Sequence, residues 1–121
     1  MAENPFQALA SDIGSKLRLE QAQLVNCMSV MNDVIRPALK DAREVIQHPR
    51  IIWKDGERPS IQVKGVYKND LSYACMGDVL EVTQTRGGGD TSHSIPLEKV
   101  SKDLIVKEIG DFLREALEIN T

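Results

Sequence analysis

Apolar residues recur every three or four positions through the first 46 residues of the chain. Stepped at about 100° per residue, Phe6, Leu9, Ile13, Leu17, Leu24, Cys27, Met28, Met31, Ile35, Leu39 and Ile46 fall within one stripe about 140° wide. The period stays nearer about 3.6 than 3.5, which predicts a straight or gently bent helix rather than a long supercoil. Asn4 followed by Pro5 is a start signal: a side chain able to hold free amides, then a residue with fixed φ and no amide hydrogen. Gly14 is a weak interruption. Pro37 removes one backbone hydrogen bond and crowds the preceding turn, so the helix is expected to kink or break near it. His48-Pro49 closes the segment, because a residue before proline is pushed toward extended conformations. The expected helical region is 1–48.

The period then drops to two. Arg50–Lys54, Ser60–Lys68, Leu71–Met76, Val79–Arg86 and Thr91–Ile95 read as strands. They are separated by turn-forming stretches, among them Asp55-Gly56-Glu57-Arg58-Pro59, Gly77-Asp78 and Gly87-Gly88-Gly89-Asp90. Alternation assigns Ile61, Val63, Tyr67, Leu71, Tyr73, Cys75, Leu80 and Val82 to one apolar face. Connections this short forbid parallel crossovers, so a four- to five-stranded antiparallel sheet is expected over 50–95. Ser101 is placed to cap a last amphipathic helix within 98–119, with Ile105, Ile109, Phe112, Leu113 and Ala116 on one side. The expected fold is a single α+β domain over 1–121: a long N-terminal helix, an antiparallel sheet, and a C-terminal helix packed on the sheet.

Length turns this pattern into a constraint. A helix over residues 5–48 would span about 66 Å at 1.5 Å per residue. A globule of 121 residues is only about 35 Å across. One such domain cannot cover the whole stripe. Either the helix folds back at Gly14 or Pro37, or a second copy shelters the excess through a symmetric interface.

Composition removes several classes. The chain is 41% apolar, too much for a disordered segment. No run of about 18 apolar residues is present, so no membrane span is expected. The opening Met1-Ala2-Glu3-Asn4-Pro5 lacks a basic stretch followed by an apolar one, so no secretory signal is expected. The two cysteines, Cys27 and Cys75, both lie on apolar faces and read as small core hydrophobes with free thiols, which points to the cytoplasm. They can pair only if folding brings their Cα atoms within about 7 Å. Net charge is −3, distributed unevenly: residues 36–68 carry eight basic and four acidic side chains between two acidic ends. Arg50, Lys54, Lys64 and Lys68 fall on the sheet's outer face and form a candidate anion-binding surface.

Candidate chemistry is sparse. The glycine run at 87–89 is followed by strand-like alternation, not by the helix a phosphate loop requires. Asp90, Ser92, His93 and Ser94 include triad residue types, but neighbours on one strand point to alternate faces. Two cysteines and two histidines scattered singly favour no zinc site. His48 is expected to sit at the helix end, where the dipole favours a cation. Glu20 is the anomaly, a carboxylate inside the apolar stripe that must be exposed, paired or used.

Three readings follow. The first is a non-enzymatic interaction or adaptor module that binds protein and is homodimeric through Leu17, Leu24, Met28, Met31 and Ile35. The second is a binder of a small apolar molecule or lipid, in a pocket between sheet and helices near Glu20, Met28, Trp53, Tyr73 and His93. The third, weakest because the aromatics share the parity of the core, is nucleic-acid binding through the basic segment 36–68. No catalytic residue, cofactor or metal is assigned, and the balance is against an enzyme.

Overall fold

A computed structural model describes residues 4–65, 68–87 and 89–119. The chain is helical from Gln7 to Val45 without interruption. Helix α1 covers Gln7–Val30, a π-helical turn covers Met31–Ile35, and α2 covers Arg36–Val45. The helix starts later than the Asn4-Pro5 signal implies: Phe6 is its N-cap with no side-chain cap, and Asn4 holds the turn before it, its side-chain oxygen accepting from the Phe6 amide (2.9 Å) and its carbonyl from Gln7 (3.1 Å). Neither Gly14 nor Pro37 breaks the helix, so the fold-back alternative does not occur. The expected kink at Pro37 is not shown; a π-helical turn lies just before it. There the Arg36 amide donates to the Met31 carbonyl across a π turn, which adjusts the spiral just before the residue that has no amide to give. The helix ends at Val45, three residues short of His48. That histidine does not cap it: His48 Nδ1 accepts from the Arg50 amide (3.1 Å) and shapes the turn into the sheet.

Five antiparallel strands follow in a meander: β1 (Ile51–Lys54), β2 (Ser60–Val63), β3 (Asn69–Met76), β4 (Val79–Arg86) and β5 (Gly89–Pro96), in the order β1-β2-β3-β4-β5. The tight Gly77-Asp78 turn joins β3 to β4, with Met76 opposite Val79. Gly77 holds φ at +64°, a value open to glycine at little cost. The expected loop over 87–90 is shorter than its composition suggests, because Arg86 already pairs with Gly89. Gly88 and Tyr67 lie outside the described residues. After a short 3₁₀ turn at Leu97–Lys99, α3 runs from Lys102 to Ala116. Its cap is Ser101, whose Oγ accepts from the Leu104 amide (3.2 Å).

The molecule is α+β, and its core lies on one side of the sheet. Ile61, Val63, Leu71, Tyr73, Leu80 and Val82, the residues alternation put on the apolar face, are fully buried. From above, Ile35, Ala38 and Leu39 of the long helix and Ile105, Ile109 and Phe112 of α3 close over them. The long helix contributes only its later portion to this packing. Of the 24 residues in α1, Cys27 alone is buried.

Candidate functional site

Four features of the fold bear on function. The largest is the uncovered face of α1. Phe6, Leu9, Ile13, Leu17, Leu24 and Met28 each expose more than half of their surface. Leu19 and Val25 add to it, at 53% and 65%. Of the five residues expected at a dimer interface, Leu17, Leu24 and Met28 lie on this open face. Met31 and Ile35 are instead buried in the chain's own core, because the helix meets the sheet from Cys27 onward. Glu20 sits within the open face and is itself exposed, with Lys16 Nζ 3.8 Å from Oε1 one turn back. Both partners are more than half exposed, so the pair contributes only a few tenths of a kcal/mol. Exposure is what permits a carboxylate in that stripe.

The second feature anchors the helix. Cys27 and Cys75 form a disulfide, with Cα atoms 5.6 Å apart and a sequence separation of 48. The expected free thiols are therefore corrected, and with them goes the ground for a cytoplasmic location. The two positions were right as to face, but their proximity is decided by how α1 crosses the β3–β4 hairpin, which spacing along the chain does not encode. Gly77 O lies 3.3 Å from Cys27 Sγ. In the disulfide the sulfur has no hydrogen to donate; on reduction the thiol finds this acceptor in place.

The third is a polar relay that runs from a buried tyrosine to an exposed histidine. Tyr73 on β3 donates to Glu108 Oε1 on α3 (2.8 Å), and Glu108 Oε2 lies 3.1 Å from His93 Nε2 on β5. Tyr73 and His93 reach the same carboxylate because Tyr73, Val82 and His93 stand in one row across three strands. Burial, then the charge of the adjacent Glu108 and the hydrogen bond to it, raises the Tyr73 hydroxyl far above the ordinary tyrosine range. The phenol is thus a permanent donor. The Glu108 side chain is 14% exposed, His93 53%. These contacts tie α3 to β3 and β5. Glu108 was not singled out in the sequence, although it stands at the edge of the α3 stripe, three residues after Ile105 and four before Phe112. The argument that made Glu20 stand out applies to it equally.

The fourth is a groove of about 710 Å³ between α2 and β1. Of the expected pocket residues it includes Trp53 alone. Tyr73 is wholly buried beneath α3, and Glu20 and Met28 stand on the open face of α1. These residues do not converge on one cavity. Of the four expected anion-binding residues, Arg50 and Lys64 are cross-strand neighbours and the other two stand apart from each other. The Arg50 guanidinium donates to the Lys64 carbonyl, Lys54 lies at the far end of β1, and Lys68 faces Asp70 at 3.6 Å. Among the described residues, no group of three metal-ligating side chains converges. No helix among them is long and apolar enough to cross a membrane.

No protein-family model, no curated protein and no solved structure matches this chain.

Proposed function

We propose that this protein is a non-enzymatic interaction module, homodimeric through the exposed face of α1. One observation carries the reading: six large apolar side chains, Phe6, Leu9, Ile13, Leu17, Leu24 and Met28, lie along one helix with no cover from their own chain. A row of exposed apolar side chains on one helix face, interrupted at Glu20, is the kind of surface that serves association. Charge favours a second copy over a strongly charged partner. The α1 helix carries Lys16 and Arg18 against Asp12 and Glu20, so two copies meet without net repulsion.

Sedimentation velocity across micromolar concentrations tests this. The intact chain is expected to sediment as a dimer that dissociates on dilution. The double variant Leu17→Glu, Leu24→Glu is expected to be a monomer with an unchanged far-ultraviolet spectrum, since neither side chain belongs to the core. A wild-type monomer at the highest concentration removes the reading. A binding pocket for an apolar molecule or lipid receives less support, because the expected lining residues are dispersed. Nucleic-acid binding receives less as well, because Arg36 and Lys68 in the basic segment are each paired with an aspartate.

A further inference from the structure

The seam between α2 and β1 holds two adjoining cavities. The larger, about 710 Å³, falls within the range of about 300–1,000 Å³ typical of small-molecule sites. The smaller, about 200 Å³, shares Arg43 and Trp53 with it, so the two meet at the indole. Pro37, Leu39 and Trp53 give the larger cavity an apolar lining.

Its charges do not cancel. Asp55 is held by Arg36, which also donates to Gly56 O (3.0 Å) and Asn32 Oδ1 (3.3 Å). Asp41 is held by Lys102 at 2.7 Å. Among the described residues Lys40, Arg43 and Lys54 make no ion pair, and Glu44 is the only acidic lining residue left equally free. Lys40 and Arg43 are i,i+3 neighbours on one helix face. Backbone groups add direction. The Lys64 amide donates to the Arg50 carbonyl, and ladder bonds alternate along an antiparallel pair. The amide and carbonyl of Trp53 therefore point away from β2, to the free edge of the sheet.

We propose that this groove binds a planar aromatic or heteroaromatic anion, its ring against Trp53 and its anionic group between Lys40 and Arg43, with Lys54 adding positive potential. An indole face accepts a ring of any substitution pattern, and paired cations select a carboxylate or phosphate on that ring. The site is independent of the α1 face, whose six uncovered apolar residues do not line it.

Isothermal titration calorimetry with 2-naphthoate and with adenosine monophosphate tests this, against the uncharged 2-acetonaphthone and adenosine and against sodium sulfate. Trp53 is the only tryptophan, so its emission reports binding of the nucleotide at this place. At least one of the two anions is expected to bind saturably with the emission altered, about tenfold more tightly than its uncharged counterpart. Which one binds separates a nucleotide from an aromatic acid as the natural ligand class. Arg43→Gln and Lys40→Gln are each expected to weaken binding by about tenfold. Glu44→Gln is expected to tighten it by about twofold to threefold, since it removes the opposing charge. All three sit on the exposed side of α2 and leave the core intact. The proposal fails if the neutral compounds bind as tightly, if sulfate alone accounts for the affinity, if the variants bind like wild type, or if neither anion saturates below about 1 mM.

Discussion

One helix meets two fates. Between Met31 and Leu39 the helix packs against the sheet and α3, with Ile35 fully buried and Met31 nearly so, while Val45 at its end is exposed again. Over the preceding α1, Leu9, Ile13, Leu17 and Leu24 stay in solvent. The segments differ in pattern as well as in cover: polar and apolar sides are weakly separated over α1 and strongly separated over α2. The run comprises 24 residues of α-helix, a 5-residue π turn and 10 further residues, about 58 Å in all. Five strands about 4.8 Å apart make a sheet about 19 Å wide, with the longest strands about 27 Å long. A sheet of that size shelters about half of such a rod. A hydrophobic stripe therefore states a demand for cover, and only the dimensions of its neighbours say whether the chain itself can meet it.

The contrast can be broken most severely from the covered side. Phe112→Ala empties a fully buried position beneath α3 and is expected to cost about 3–5 kcal/mol in urea unfolding. A loss below about 1 kcal/mol would mean that the core is far looser than its burial indicates. Next comes the clip between the halves. Reduction of Cys27–Cys75, or Cys27→Ser with Cys75→Ser, is expected to cost about 2–4 kcal/mol, because a closure spanning 48 residues no longer restrains the unfolded chain. Hydrogen exchange should then accelerate first in the last turns of α1, where Cys27 is the only buried residue.

Tyr73→Phe is smaller, about 1–2 kcal/mol, since it deprives the Glu108 carboxylate of a donor without opening a cavity. It also carries a pH signature. The unfolded phenol ionises near about pH 10, whereas burial holds the folded one protonated beyond that. The contribution is intact below about pH 10 and declines above it by about 1.4 kcal/mol per pH unit. The variant should show a shallower alkaline decline than wild type; identical slopes would show that the folded hydroxyl ionises freely. The smallest effect belongs to the uncovered side. Leu17→Ala, measured where the chain is monomeric, should change stability by less than about 0.5 kcal/mol while shifting the dimerisation midpoint.

Much of the fold was legible because alternation and helical spacing are local properties. The parity of Ile61, Val63, Leu71, Tyr73, Leu80 and Val82 agrees with their complete burial, and Ser101 caps the helix it was placed to cap. Pro37 was legible as a point of stress but not in its resolution. Proline marks a missing donor, whereas the helix runs on through it with a π turn just before, where Ile35 is fully buried. The sites were legible only in part. Trp53 lines the groove as an aromatic of the expected face, but Lys40, Arg43 and Glu44 acquire meaning there only because α2 lies beside β1.

By its own periodicities the sequence determined a long amphipathic helix, an antiparallel meander and a capped terminal helix, since each follows from the spacing of neighbours a few residues apart. Tertiary structure alone decided which half of the helix is covered, that Cys27 meets Cys75, that Glu108 joins Tyr73 to His93, and where unpaired cations gather beside Trp53. These are contacts between residues far apart in the chain. They depend on the relative placement of whole elements, which the packing of the core sets and no local pattern records.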